Sequence, residues 1–174
     1  MKARLESIQS RLFYFDVNIF SMIYLHQSIL TPLKAAVEKN SEECCGFLFG
    51  SDLGTHRVIS TMMDIDNEAF DRRRTFRISS RNYLKAENFA LCNNFQLLGV
   101  YHSHPDAPAV PSEFDRVAAQ PYFSYLILSV MNRKVTDMRS WNLCNNSQFE
   151  EQRLIVLNIN QHVYGYRNNP YPAA

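Results

Sequence analysis

The sequence predicts an α+β fold, a mixed β-sheet with a few helices packed on it. Three observations carry that prediction. Short apolar runs rich in β-branched and aromatic residues recur along the chain. Two segments repeat their apolar residues with helical period. The two kinds of segment do not alternate as a regular βαβ chain would. At 174 residues the chain is long enough for one proper core. We expect residues 22–174 to form it as a single domain, behind an N-terminal extension of residues 1–21. That extension reads either as a short arm docking its Phe and Tyr residues or as a loosely held segment. Glu6, Arg11 and Asp16 interrupt it, so it lacks the apolar stretch of a secretory signal.

The elements follow in order. Met22-Ile23-Tyr24-Leu25 reads as a strand-like start. Between His26 and Lys39, Ile29, Leu30, Leu33, Ala36 and Val37 recur at helical spacing, with Pro32 near the first turn. Asn40-Ser41 break that helix. Cys44 to Phe49 is a buried strand and Arg57 to Met63 a second, joined by a hairpin around Asp52-Leu53-Gly54. Asp64 to Arg74 is a charged loop, and Thr75 to Ile78 a short strand. Ser80 to Cys92 is a second amphipathic helix that Ser79 or Ser80 caps, its apolar side supplied by Tyr83, Leu84, Ala86, Phe89, Ala90 and Leu91. Gln96 to Tyr101 is a central strand flowing into His102-Ser103-His104. Pro105, Pro108 and Pro111 then force a loop, and Ser112 opens a short helix to about Ala119. Tyr122 to Val130, Asp137 to Leu143 and Leu154 to Ile159 are strands, and the Asn-Pro-Tyr-Pro tail is irregular.

Composition narrows the function. Eighteen Lys and Arg against seventeen Asp and Glu leave a net charge of +1, which gives no support to a nucleic-acid binder with a broad basic surface. No apolar run approaches the roughly 20 residues of a membrane helix. The four cysteines form no Cys-x-x-Cys pair or disulfide framework, which points to a reducing, cytoplasmic setting.

The chemistry concentrates between residues 99 and 115. His102 and His104 are two apart, so on a strand both imidazoles reach from one face toward one metal ion. Asp115 follows across the proline-rich loop. Two histidines and a carboxylate make a three-ligand set for catalytic Zn2+ with the fourth position open to water. Each part has a structural reading as well: isolated histidines are commonly core or surface residues, and Ser112-x-x-Asp115 also reads as a helix capping box. The cysteines read as structural, since a thiolate nucleophile needs a histidine partner.

Together, His102-Ser103-His104, seven residues, Ser112, two residues and Asp115 resemble the JAMM (MPN+) metallopeptidase signature at every ligand position. Upstream, Glu43-Cys44-Cys45-Gly46-Phe47-Leu48-Phe49-Gly50 resembles the family's Glu-x-Cys-Gly-x-x-x-Gly strand. Glu42 competes with Glu43 for the Glu position, and the distance to Gly46 and Gly50 selects Glu43. The resemblance implies a JAMM/MPN, cytidine-deaminase-like architecture. It implies His102, His104 and Asp115 as zinc ligands, Glu43 as general base and Ser112 as donor to the tetrahedral oxyanion. Its compact prokaryotic members imply cleavage after the C-terminal Gly-Gly of a ubiquitin-like or sulfur-carrier protein. Arg72-Arg73-Arg74 then reads either as a contact for an acidic carrier or as a solvated loop. The alternative is a silent MPN-type interaction scaffold, which would have lost its ligands. A nucleobase deaminase would need His-x-Glu and Pro-Cys-x-x-Cys, both missing here.

Overall fold

The computed structural model describes residues 22–145 and 147–158. Among these residues seven strands and three helices follow in the order β1 (Met22–His26), α1 (Gln27–Glu38), β2 (Cys45–Asp52), β3 (Arg57–Ile65), α2 (Ser80–Cys92), β4 (Gln96–Pro105), α3 (Glu113–Ala118), β5 (Ser124–Met131), β6 (Lys134–Leu143) and β7 (Phe149–Leu157). The sheet is mixed, as expected, but it is a closed barrel rather than a sheet with helices laid on it. Closure comes from β1, which pairs in parallel with β3 on one side and with β7 on the other.

Two apolar layers follow from the period-two alternation of the strands. Leu48 of β2 joins Ile23, Ile59, Leu98 and Leu126 inside the barrel, where α1 adds Ile29, Leu30, Leu33 and Val37. Its neighbours Phe47 and Phe49 face outward with Val100 and Tyr125, under Ala86 and Ala90 of α2. The expected apolar side of α2 is split. Ala86 and Ala90 are buried, whereas Leu84 and Leu91 are exposed, because the helix meets the barrel along one narrow stripe.

A bulge in β4 decides which way the site faces. Leu48 pairs with Gly99 and Phe49 with Leu97, so Leu98 is an extra residue on β4. Leu97 contacts the outer layer, Leu98 the inner, and Val100 the outer again. That slip sends His102 and His104 outward with Val100. Gly46 allows the close approach: a Cβ there would strike the Met63 carbonyl and the Tyr101 ring.

Several boundaries differ from the sequence expectation. Thr75–Ile78 is irregular rather than a strand, because closing the barrel leaves those residues no strand to pair with. They are held instead by Asn67, whose side chain donates to the Glu43 and Thr75 carbonyls (3.0 and 2.9 Å) and accepts from Ala69 N and Arg77 N (2.9 and 3.1 Å). β3 runs to Ile65, β5 starts at Ser124, β6 at Lys134 and β7 at Phe149. The extension 1–21, Ile159 and the Asn-Pro-Tyr-Pro tail lie outside the described residues. Among the described residues no helix is long and apolar enough to cross a membrane.

Candidate metal centre

The site is built where β4 and β5, a parallel pair, both end. Ligand sites favour the carboxyl ends of parallel strands, since the connecting loops converge there. The chain leaves β4 at Asp106, which is left-handed (φ 53°) and whose amide donates to the Val130 carbonyl (2.9 Å). The proline loop is then pinned. Ser129 Oγ donates to the Ala107 carbonyl (2.7 Å) and Trp141 Nε1 to the Ala109 carbonyl (3.0 Å). This fixed loop delivers α3, with Asp115 in its first turn, against the end of β4.

His102, His104 and Asp115 are all buried, with ligand atoms within 4.8 Å of one another. The two Nε2 atoms stand 3.0 Å apart. Asp115 Oδ1 is 3.2 Å from His102 Nε2, and Oδ2 is 3.6 Å from His104 Nε2. The Pro108 carbonyl lies 2.8 Å from His104 Nδ1, so Nδ1 carries the proton. In the neutral ring, Nε2 then presents its lone pair to a carboxylate and a second imidazole. Lone pairs converging in a buried site are favourable only with a cation among them, so the donor set fits a divalent metal. Phe76 stacks on His102 with ring centroids 4.4 Å apart. Neither the Pro108 carbonyl nor Phe76 carries a sequence signal, because one is backbone and the other arrives from a distant loop.

Glu43 is placed by register. β2 and β4 run antiparallel with Cys45 opposite His102. Ser103 clamps the next step, its Oγ accepting from Cys44 N (2.9 Å) and its amide donating to the Cys44 carbonyl (3.0 Å). Glu43 therefore stands across from His104, outside the three-residue cluster. Its amide donates to the Arg72 carbonyl (2.7 Å). Glu42, by contrast, is exposed.

Electrostatics separate the groups. Burial raises the Glu43 carboxyl to about 7; His104 opposes this and Asp115 and Asp71 add to it. Burial also holds His102 below the ordinary histidine value. His104 is raised, because the Asp115 carboxylate, the Pro108 carbonyl and Glu43 together outweigh burial. Burial works against ionised Asp115 as well, yet the adjoining His102 and His104 rings and the hydrogen bond from Ser112 hold its carboxyl far below the carboxylate range. For metal-free protein a pH dependence follows. Glu43 is raised on folding, so its contribution is intact below about pH 4.5 and lost as pH rises through about 7. Between pH 5 and 8 the chelated wild type should lose about 2–3 kcal/mol relative to Glu43→Gln, read by urea titration.

Ser112 forms a complete capping box. Its Oγ accepts from Asp115 N (3.2 Å) and donates to Asp115 Oδ2 (2.6 Å), which also accepts from Ser112 N (2.6 Å). The aspartate is thereby fixed by the helix start that it helps to cap. The cysteines stay structural in geometry: burial raises the Cys45 thiol to about 12, so it is no thiolate at neutral pH.

A mixed barrel that carries a buried His-His-Asp donor set, a raised carboxyl beside it, defines a candidate metal-dependent protein of the JAB type. The chain belongs to the prokaryotic homologs of the JAB domain, whose family model matches residues 26–144. It is 28% identical over 142 residues to a desampylase from Pyrococcus furiosus, covering 79% of this chain and 92% of that one. It also resembles two solution structures. A Desulfitobacterium hafniense protein matches with a TM-score of 0.72 at 27% identity, over 84% of this chain and all of that one. A Salinibacter ruber protein matches with a TM-score of 0.61 at 26% identity, over 83% of this chain and 98% of that one.

Proposed function

We propose that the protein is a zinc-dependent isopeptidase that cleaves after the C-terminal Gly-Gly of a ubiquitin-like or sulfur-carrier protein. The observation that carries this reading is the convergence of His102, His104 and Asp115 with Glu43 beside them but outside the donor set. The similarity to a desampylase supports isopeptidase-type hydrolysis of ubiquitin-like modifiers. The scaffold reading needs a lost ligand, and all three donors are present and converge.

His102, His104 and Asp115 would hold the metal. When bound, a zinc ion supplies Lewis acidity, polarising the scissile carbonyl and acidifying a water. Glu43 takes the proton from the attacking water and delivers it to the departing amine nitrogen. A carboxyl raised toward neutrality suits both halves of that transfer. Ser112 Oγ turns its proton from Asp115 to the tetrahedral oxyanion, while Asp115 keeps its bond from Ser112 N. Ser112→Ala should therefore lower kcat by roughly 100- to 1,000-fold. Loss of the cap alone would cost only about 0.5–2 kcal/mol of stability. A variant that loses stability but keeps its kcat assigns Ser112 to the cap only.

The carrier's docking face would include the loop between β3 and α2. It presents Phe70, fully exposed, beside exposed Arg72, Arg73 and Arg74, on a base clasped by Asn67. Arginine and aromatic residues dominate protein-binding hot spots. The deciding experiment is intact-mass analysis of Gly-Gly carriers bearing C-terminal extensions, with and without chelator. Loss of the extension at the Gly-Gly bond, blocked by chelator, is the expected result. Chelator-insensitive cleavage, or none by protein with zinc bound, overturns the reading.

A further inference from the structure

Glu43 also borders a cavity of about 840 Å³ that none of His102, His104 and Asp115 lines. The end of α1, the start of β2, the end of β3, the loop after it and one face of α2 enclose it. The Glu43 side chain is only 6% exposed and accepts no hydrogen bond from any described residue. Glu43 thus stands across β2–β4 from His104 and is also part of the wall of this cavity.

Four further carboxylates line the cavity, from Glu42, Asp64, Asp66 and Glu68, against two cations, Arg72 and Lys85. None of these six forms an ion pair within 4 Å among the described residues. Asp64 accepts a hydrogen bond from Tyr101, and Glu68 accepts from Ser79 (2.8 Å) and Asn82 (3.1 Å). These neutral donors fix two of the carboxylates in place without cancelling their charge. A concave wall of one dominant sign focuses its field into the cavity.

We infer that this cavity is the leaving-group subsite and that it selects leaving groups carrying positive charge next to the scissile amide, such as a lysine set in a basic segment. The inference rests on the isopeptidase reading and adds the class of its leaving group. The departing nitrogen must come within hydrogen-bond reach of the group that protonates it. If Glu43 is that group, the departing nitrogen, still bonded to the scissile carbon, lies between Glu43 and the donor cluster, and the segment behind it runs into space that Glu43 borders; this cavity, which no donor residue lines, is that space. A basic segment places its charges against Glu42, Asp64 and Asp66. An acidic segment meets them as like charges.

The test uses one Gly-Gly carrier joined through an isopeptide bond to the lysine of three peptides, identical except for flanking Lys, Gln or Glu residues. Two readouts are taken on zinc-loaded protein: kcat/KM for cleavage, and fluorescence anisotropy of the three free peptides. Expected is the order Lys, Gln, Glu in both, spanning roughly tenfold or more at low ionic strength and compressed in high salt. The exposed pair Glu42→Gln/Asp66→Asn should collapse that spread. Equal values for all three peptides overturn the inference. So does preference for the acidic peptide, whose carboxylates would sit on Arg72 and Lys85. Charge-ranked binding without cleavage keeps a cation-selecting cavity but removes the isopeptidase reading, and with it the leaving-group role. Cleavage without charge ranking does the reverse.

Discussion

Glu43→Gln should reduce turnover of a Gly-Gly carrier adduct by about 100- to 10,000-fold while the protein retains one metal per chain. The size is that of losing a positioned acid–base group. The retention of metal follows from placement. Glu43 stands across β2–β4 from His104 and lies outside the cluster of donor atoms. Glutamine keeps the size of the side chain and cannot carry a proton between water and amine. The measurement pairs steady-state rates with metal content by elemental analysis. Loss of metal together with activity would make Glu43 a ligand and remove the general base from the mechanism.

Asp115→Asn should do the opposite: metal and activity fall together. Asp115 is the one charged donor of the three, and its carboxyl stays ionised beside His102 and His104 and under its bond from Ser112. An asparagine oxygen can still accept from Ser112 N, so α3 keeps its start and the barrel its fold. Metal affinity should drop by more than about 100-fold, past the 10- to 100-fold typical of outer-shell changes. Competition with a chromogenic chelator reads this directly, and far-UV circular dichroism should be unchanged. Near-wild-type affinity in the variant would place the third ligand elsewhere.

How much of this was legible in sequence depends on how local each signal is. His102 and His104 are two residues apart on one strand, and Asp115 follows eleven residues on, so their meeting needs only a strand, a turn and a helix start. Glu43 was marked only through the resemblance to the family's Glu-x-Cys-Gly-x-x-x-Gly strand, its place counted from Gly46 and Gly50; a side chain at Gly46 would collide with Met63 and Tyr101. Closure of the barrel was not legible. It depends on Met22 pairing with Arg153, and no local pattern encodes a contact so remote. The same remoteness hid the irregular course of Thr75–Ile78, whose alternation is strand-like but whose backbone answers to Asn67. Leu84 and Leu91 misled because apolar residues on a surface helix need not face the core.

The parallel seam between β1 and β7 also orders events in time. β1 is the first described strand and β7 the last, so the strand that seals the barrel must wait for nearly the whole domain to be synthesised. Until then β3 has an open flank where β1 will lie, or β1 pairs with β3 and leaves its own outer edge bare. Among the described strand pairs, joining ends so far apart in sequence carries the largest loop-closure entropy. The seam should therefore close late and slowly, after the β2–β3 and β5–β6 hairpins have formed. A nascent chain stalled before Phe149 would expose an apolar strand edge, and this is the stage at which the protein is most open to aggregation and most dependent on chaperones.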